Sequence, residues 1–357
     1  MELRKAVYSE EFIQHLKTDL LKAEPRFLAD DYQSIILQPD WDQLELMQRK
    51  RRITEAIQAT LPTSYQDTLE ILKQVAPNYS GLAGLVFSDY VQVYGLEDWE
   101  ASIKALEQFT QYSTAEFAVR PFFIKDPERM IQQSKIWSQS ENEHVRRLAS
   151  EGSRPRLPWG ISIPAIKENP ALILPILESL KKDPSLYVRR SVANSLNDVT
   201  KTHPTLFKDI AKEWVDEHPD TDWIIKHASR SLLKRGDPDI LRLFGYENSE
   251  KLHIQEFQCA AESLQIGEAI HFSFRLQADT KTKLRIDYAI DYVKARGNRT
   301  RKVFKLSDTS IKKDETKNYS RTHSFQDLST RTHYPGVHQL TLIVNGEEKL
   351  SIEFDII

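Results

Sequence analysis

The chain has 357 residues, 40% hydrophobic and 28% charged, which suffices for two domains with ordinary cores. Its formal net charge of −3 gives no global attraction to nucleic acid, so any basic surface has to be local. One cysteine, Cys259, excludes an intramolecular disulfide and a multi-cysteine zinc site. No stretch reads as a signal peptide or a membrane span, so a cytoplasmic protein without membrane association is expected.

Residues 1–75 read as helices punctuated by proline, with Phe12, Leu16 and Leu20, then Leu46, Ile53, Ile57 and Leu61, at helical spacing. The basic run Arg49–Arg52 is expected on a solvated helix face beside Glu45 and Glu55, with contact to a DNA backbone as the other reading. Phe87, Tyr90, Tyr94 and Trp99 are expected to pack helices together. Ser113 with Glu116 three residues on forms a capping-box pattern, and Pro121 is expected to kink or end the helix it opens. Residues 144–150 form the next helix, with Val145, Leu148 and Ala149 on one face and Gly152 expected as its left-handed stop. Glu151 then lies at the helix C-terminus, where the macrodipole disfavours an acid, amid Arg146, Arg147, Arg154 and Arg156. An acid so placed among bases suggests a surface holding an anionic polymer near a working carboxylate.

Three segments starting at Val145, Val188 and Ile224 align with one another, 43 and 36 residues apart, in the range of HEAT-type repeats. The pattern predicts stacked helix pairs whose second helices line one face. In this register Glu151, Asn194 and Arg230 are equivalent, as are Arg147, Arg190 and Lys226, so a basic group recurs at one phase and forms a stripe suited to DNA backbone. Gly236-Asp-Pro-Asp opens a last helix. From about residue 250 the pattern turns to period 2, and Asn345-Gly346 signals a hairpin. The class expected is therefore an α-solenoid of HEAT-like repeats over 1–248 followed by a β-sandwich over 249–357. Nine basic and two acidic residues fall between Lys281 and Lys305. Lys294–Lys302 reads as a hairpin tip that either protects an edge or makes a second DNA contact.

Scattered histidines without H-x-x-x-H or H-x-E spacing argue against a metal site, and no Walker-type glycine loop or G-x-S-x-G is present. No cofactor is expected.

Several segments carry a family resemblance, in order: Glu116-Phe-Ala-Val-Arg-Pro-Phe122, Arg154-Pro-Arg-Leu-Pro-Trp159, Val188–Asp198 and Trp223–Ala228. The chain resembles the AlkC type of DNA-alkylation-repair glycosylases built from HEAT-like repeats. Residues past about 250 resemble the extra immunoglobulin-like domain of one branch. The resemblance implies a base-excision enzyme that hydrolyses the N-glycosidic bond of cationic alkylated bases in double-stranded DNA, 3-methyladenine and 3-methylcytosine among them, without base flipping. It implies Glu151 nearest sugar and water, Glu116 as its partner, and Trp159 as an aromatic wall. Such a reaction passes through an oxocarbenium-like state that carboxylates stabilise, and an indole attracts a cationic base. Arg120, Arg146, Arg147, Arg154, Arg156, Arg189, Arg190, Asn194, Lys226 and Arg230 are expected to contact DNA, with Lys294, Arg296, Arg299 and Arg301 in the β-domain. The competing expectation is a non-catalytic HEAT-repeat module binding nucleic acid or an acidic protein. A monomer is expected, associated with the nucleoid when on DNA.

Overall fold

Helix starts are set by side-chain caps that satisfy otherwise orphaned N–H groups: Ser9 accepts from Phe12, Ser64 from Asp67, Asp98 from Ala101, Asp126 from Arg129 and Asn142 from His144. The computed structural model describes residues 4–246, 249–328 and 331–357, and the chain divides into two compact units. The first takes in Met1–Phe207 and Glu213–Ala228, and the second Lys208–Lys212 and Ser229–Ile357. None of the described helices is long and apolar enough to cross a membrane.

In the first unit the three repeat segments form the helices Glu143–Gly152, Leu186–Thr202 and Pro219–Ala228, the second packed against both others. Their apolar stripes (Val145 and Leu148, then Val188, Val192 and Leu196, then Ile224 and Ile225) are all buried. Polar cross-links fix the stack: Ser150 donates to Ser191 at 2.6 Å, and the Asn197 amide to the Ala228 carbonyl at 2.7 Å.

Four local expectations need correction. Ser113 and Glu116 do not open a helix; the Ser113 hydroxyl donates to the Gly81 carbonyl, and residues 116–119 are turns. Pro121 does not end a helix but sits in the first turn of Arg120–Lys125, where its missing N–H costs nothing. Gly152 is the last residue of its helix rather than a left-handed stop. Its role is close approach, since a Cβ there would meet Val119 Cγ2 at 2.5 Å. The Arg49–Arg52 run is not a solvated face. Arg49 and Lys50 are buried, Lys50 and Arg51 pair with buried Asp89 at 2.6 and 2.9 Å, and Arg52 pairs with Asp40 at 2.7 Å. Of the four aromatics, Phe87 and Tyr90 are fully buried, and Tyr94 and Trp99 partly so.

In the second unit, Asp237 caps the helix Pro238–Leu243, and Gly245 turns the chain at φ +72°. Eight strands follow: β1 (Leu252–Cys259), β2 (Ser263–Leu264), β3 (Ala269–Ala278), β4 (Thr282–Val293), β5 (Arg299–Ile311), β6 (Thr316–Ser324), β7 (Gly336–Val344) and β8 (Glu347–Ile356). They form a three-stranded sheet in the order β1-β3-β6 and a five-stranded sheet in the order β2-β8-β7-β4-β5. Alternation along β3 sends Ile270, Phe272, Phe274 and Leu276 into a core shared with Ile286, Tyr288 and Ile290 of β4 and Leu340 and Leu342 of β7. Asn345 and Gly346 take φ +47° and +83°, the two-residue hairpin turn their sequence signals.

Candidate active site

The i,i+4 spacing of Arg147 and Glu151 aligns them on the last turns of Glu143–Gly152, and the 114–116 turn brings Glu116 to the same place. Arg147 bridges the two acids, with its guanidinium 2.6 Å from Glu116 Oε2 and 3.6 Å from Glu151 Oε1. Thr114 Oγ1 donates to Glu116 Oε2 at 2.8 Å and accepts from Arg147 at 2.9 Å. On the far side Arg154 holds Glu151 Oε1 at 2.6 Å and buried Asp198 at 2.9 Å, and Asp198 also accepts from Lys201 at 3.0 Å. The charges thus alternate along a chain, Glu116, Arg147, Glu151, Arg154, Asp198, Lys201. Burial works most strongly against the charged forms of Arg147 and Arg154, but the flanking carboxylates outweigh it and hold both above the ordinary guanidinium value.

These bonds leave a consistent pattern. Both partners of Glu116 hold its Oε2, and both partners of Glu151 hold its Oε1. Each carboxylate is fixed by one oxygen and keeps the other unbonded among the described residues. The two acids line a cavity of about 640 Å³ with Arg147, Tyr187, Trp159 and Arg4. Tyr187 forms part of the wall, with the Arg147 guanidinium 5.0 Å from its ring centroid.

Trp159 stands on the loop after this helix, 59% exposed as a residue and with its backbone at φ +64°. A bulky residue in the left-handed region carries strain of about 1–3 kcal/mol, which persists only where the surroundings enforce it. Arg120 does the enforcing. It is 1% exposed, and its guanidinium donates to the carbonyls of Gly152 and Arg154 at 3.0 Å each and to that of Ile161. It therefore ties the end of the helix Glu143–Gly152 to both sides of the Trp159 loop. Gly160 is required there because a Cβ would meet Leu157 Cδ2 at 2.9 Å and Arg120 Cδ at 3.0 Å. Burial, and then the like charge of Arg154, bring the Arg120 pKa down to about 10.

The structure brings Glu116, Glu151 and Trp159 together as expected but redistributes the basic residues. Arg120 has no surface to offer DNA and is a structural clasp. Arg147 and Arg154 brace the carboxylates. Arg146 is bound to Asp183 at 2.6 Å, and Arg189 to Asp220 at 3.1 Å and to the carbonyls of Asp183 and Pro184. Arg156 and Arg190 are exposed, and Asn194 and Lys226 are half-buried on the stacked helices. Arg230 leaves the repeat register, opening the short helix Arg230–Lys234 in the second unit.

In the β-domain, Lys294 and Arg296 lie at the β4–β5 hairpin tip, whereas Arg299 and Arg301 lie within β5. Arg299 pairs with Glu353 at 3.0 Å, and Arg301 pairs with Asp291 at 3.2 Å and with Glu348. Lys302 closes the run expected at the tip but lies within β5, and Arg331 was missed. With Lys294 and Tyr334 they line a cavity of about 620 Å³ that no acidic side chain lines. In the first unit Thr114, Asp198, Tyr187 and Arg4 were missed. Only Asp198 left a trace in the sequence, an acid set between the apolar positions Leu196 and Val199. Among the described residues no cluster of three or more His, Cys, Asp or Glu could hold a metal.

Residues 46–232 match the family described as DNA alkylation repair enzyme. Over all of both chains the fold and 40% of residues coincide with Pseudomonas fluorescens alkylpurine DNA glycosylase AlkC bound to DNA containing an abasic site analog, at TM-score 0.97. The chain belongs to the AlkC-type DNA alkylation repair glycosylases. It is also 53% identical, over 99% of each chain, to a Bacillus subtilis protein called uncharacterized protein YhaZ. Residues 253–357 match the family described as the C-terminal Ig-like domain of YhaZ. The AlkC-type membership makes the helical unit the expected seat of base excision, and its paired carboxylates lie there.

Proposed function

We propose that this AlkC-type enzyme hydrolyses the N-glycosidic bond of small cationic alkylated bases in duplex DNA, 3-methyladenine first and 3-methylcytosine second. The observation that carries this reading is the pair of half-held carboxylates beside an exposed indole. The C1′–N bond breaks with its electron pair staying on the base nitrogen, so the cationic base becomes neutral and the positive charge passes to the sugar. The free oxygen of Glu151 faces that charge and accepts a proton from the water whose oxygen bonds to C1′. Glu116, braced by Arg147 and Thr114, adds the second negative charge. A base already cationic needs no protonation to leave, so the reaction asks no proton donor of this cleft.

Trp159 supports excision without base flipping, since its ring is exposed beside the acids rather than lining a closed pocket. The tip residues Lys294, half-buried, and Arg296, exposed, with Lys302 and Arg331 nearby, form the basic part of the β-domain and make it a second contact for DNA phosphates. The enzyme works as a cytoplasmic monomer without cofactor. The test is release of methylated bases from randomly methylated duplex DNA by wild type and Glu151→Gln. Release of 3-methyladenine by wild type, reduced roughly 100-fold or more in Glu151→Gln, is expected. Excision left intact in Glu151→Gln would remove Glu151 from the chemistry.

A further inference from the structure

The exposed ring of Trp159 is not bare. The Arg4 guanidinium lies 5.1 Å from its centroid, and Arg4 lines the same cavity as Glu116 and Glu151. Trp159 also walls a second cavity of about 490 Å³ near Arg51 and Arg52, but Arg4 does not line that one. The guanidinium thus sits on the side of the indole that faces the carboxylates. Arg4 is itself exposed and has no ion pair or hydrogen bond among the described residues, so its one described charge-related contact is with this ring. A planar cation resting on an electron-rich ring is a chemical stand-in for a planar cationic base.

We propose that Arg4 is an exchangeable occupant of a cation site on Trp159, displaced by the cationic base and returning once that base has become neutral. The inference rests on the excision reading above and deepens it. Bond cleavage removes the charge that attracts the base to the indole, so the product holds the ring only by stacking while Arg4 competes with its full charge. The exchange therefore opposes binding somewhat and favours release of the free base. It makes Arg4 a determinant of substrate and product affinity, not a catalytic residue.

The experiment is steady-state excision from duplex DNA carrying a cationic methylpurine, with inhibition by neutral free 3-methyladenine, for wild type, Arg4→Ala, Trp159→Ala and the double variant. Arg4→Ala is expected to lower KM about two- to fivefold and to tighten product inhibition by the same factor, the range of an exposed cation–π contact. In the Trp159→Ala background the same substitution is expected to have no effect. A KM that rises with a flatter salt dependence would make Arg4 a phosphate contact and overturn the exchange, as would an unchanged KM or an equal effect without Trp159. Should wild type release no base, the excision reading fails, and the exchange is read by titration with permanently cationic N-methylnicotinamide. Arg4→Ala must then bind it about two- to fivefold more tightly than wild type does, or the exchange fails too.

Discussion

Arg120→Lys separates a clasp from a DNA contact. The wild-type guanidinium serves three backbone carbonyls from a position 1% exposed. A lysine keeps the charge but reaches with one nitrogen on a flexible stem, so about two of those hydrogen bonds are lost. At about 1.5–3 kcal/mol for each bond to a charged group, less what a water recovers, stability should fall by roughly 3–5 kcal/mol. The same bonds hold the Trp159 loop to the helix bearing Glu151, so excision should fall at least tenfold at temperatures where the variant is folded. Urea unfolding followed by circular dichroism gives the first quantity, and single-turnover excision at saturating DNA gives the second. The salt dependence of DNA binding should keep its wild-type slope, because no phosphate contact has been removed. A variant as stable and as active as wild type, with only its DNA affinity reduced, would refute the clasp and return Arg120 to the DNA surface.

Trp159→Ala should raise KM for cationic lesions about 2- to 30-fold, the range of a cation–π contact from exposed to desolvated, with Trp159→Phe recovering part of the loss; KM and kcat measured separately check this. Gly152→Ala should destabilise by about 1–3 kcal/mol, because its Cβ meets Val119 Cγ2 at 2.5 Å, and Val119→Ala should restore most of that in denaturant titrations of the double variant. Buried His323 lies between the Tyr288 and Tyr292 hydroxyls at 3.0 and 2.7 Å, and burial pushes its pKa down to about 4. The unfolded chain therefore takes up a proton first as pH falls below about 6.5, and the β-domain should lose roughly 2 kcal/mol by pH 5 through this group. Thermal unfolding of His323→Gln compared with wild type between pH 7 and 5 isolates that loss, which the variant should lack.

The sequence made the architecture legible because both units repeat a simple rule. Apolar residues at helical spacing recur in three aligned segments, and strict alternation in Ile270–Leu276 admits one pleat and one inner face. The acids and Trp159 were legible through resemblance and through the oddity of Glu151 at a helix C-terminus. The basic residues were not. Arginine looks alike in sequence whether it meets phosphate, a carboxylate or three carbonyls. Arg120, Arg146 and Arg189 are decided by Asp183, Asp220 and main-chain groups brought in by the fold. The Arg49–Arg52 run failed in the same way, since Asp89 lies 38 residues from Arg51. Arg4 and Trp159 are 155 residues apart, and nothing local announces their contact.

The arginine braces raise an electrostatic question, because the proposed hydrolysis asks a carboxylate already paired to stabilise a developing sugar cation. Distance resolves it. A charge about 3 Å from a free carboxylate oxygen gains roughly 5.5 kcal/mol at an effective dielectric of about 20. A guanidinium on the far side of that carboxylate, about 6 Å from the same charge, takes back roughly 3 kcal/mol. About half the attraction survives, and it acts through an oxygen that cannot swing away. Without the braces, Glu116 and Glu151 would repel each other and, in the proposed reaction, the phosphates of the DNA. The alternation of charge from Glu116 to Lys201 offsets that repulsion and keeps both acids aimed, at the cost of part of their field. Under the proposed function that arrangement suits a leaving group that brings its own positive charge, because the enzyme is then asked for only part of the barrier and has more need of position than of field strength.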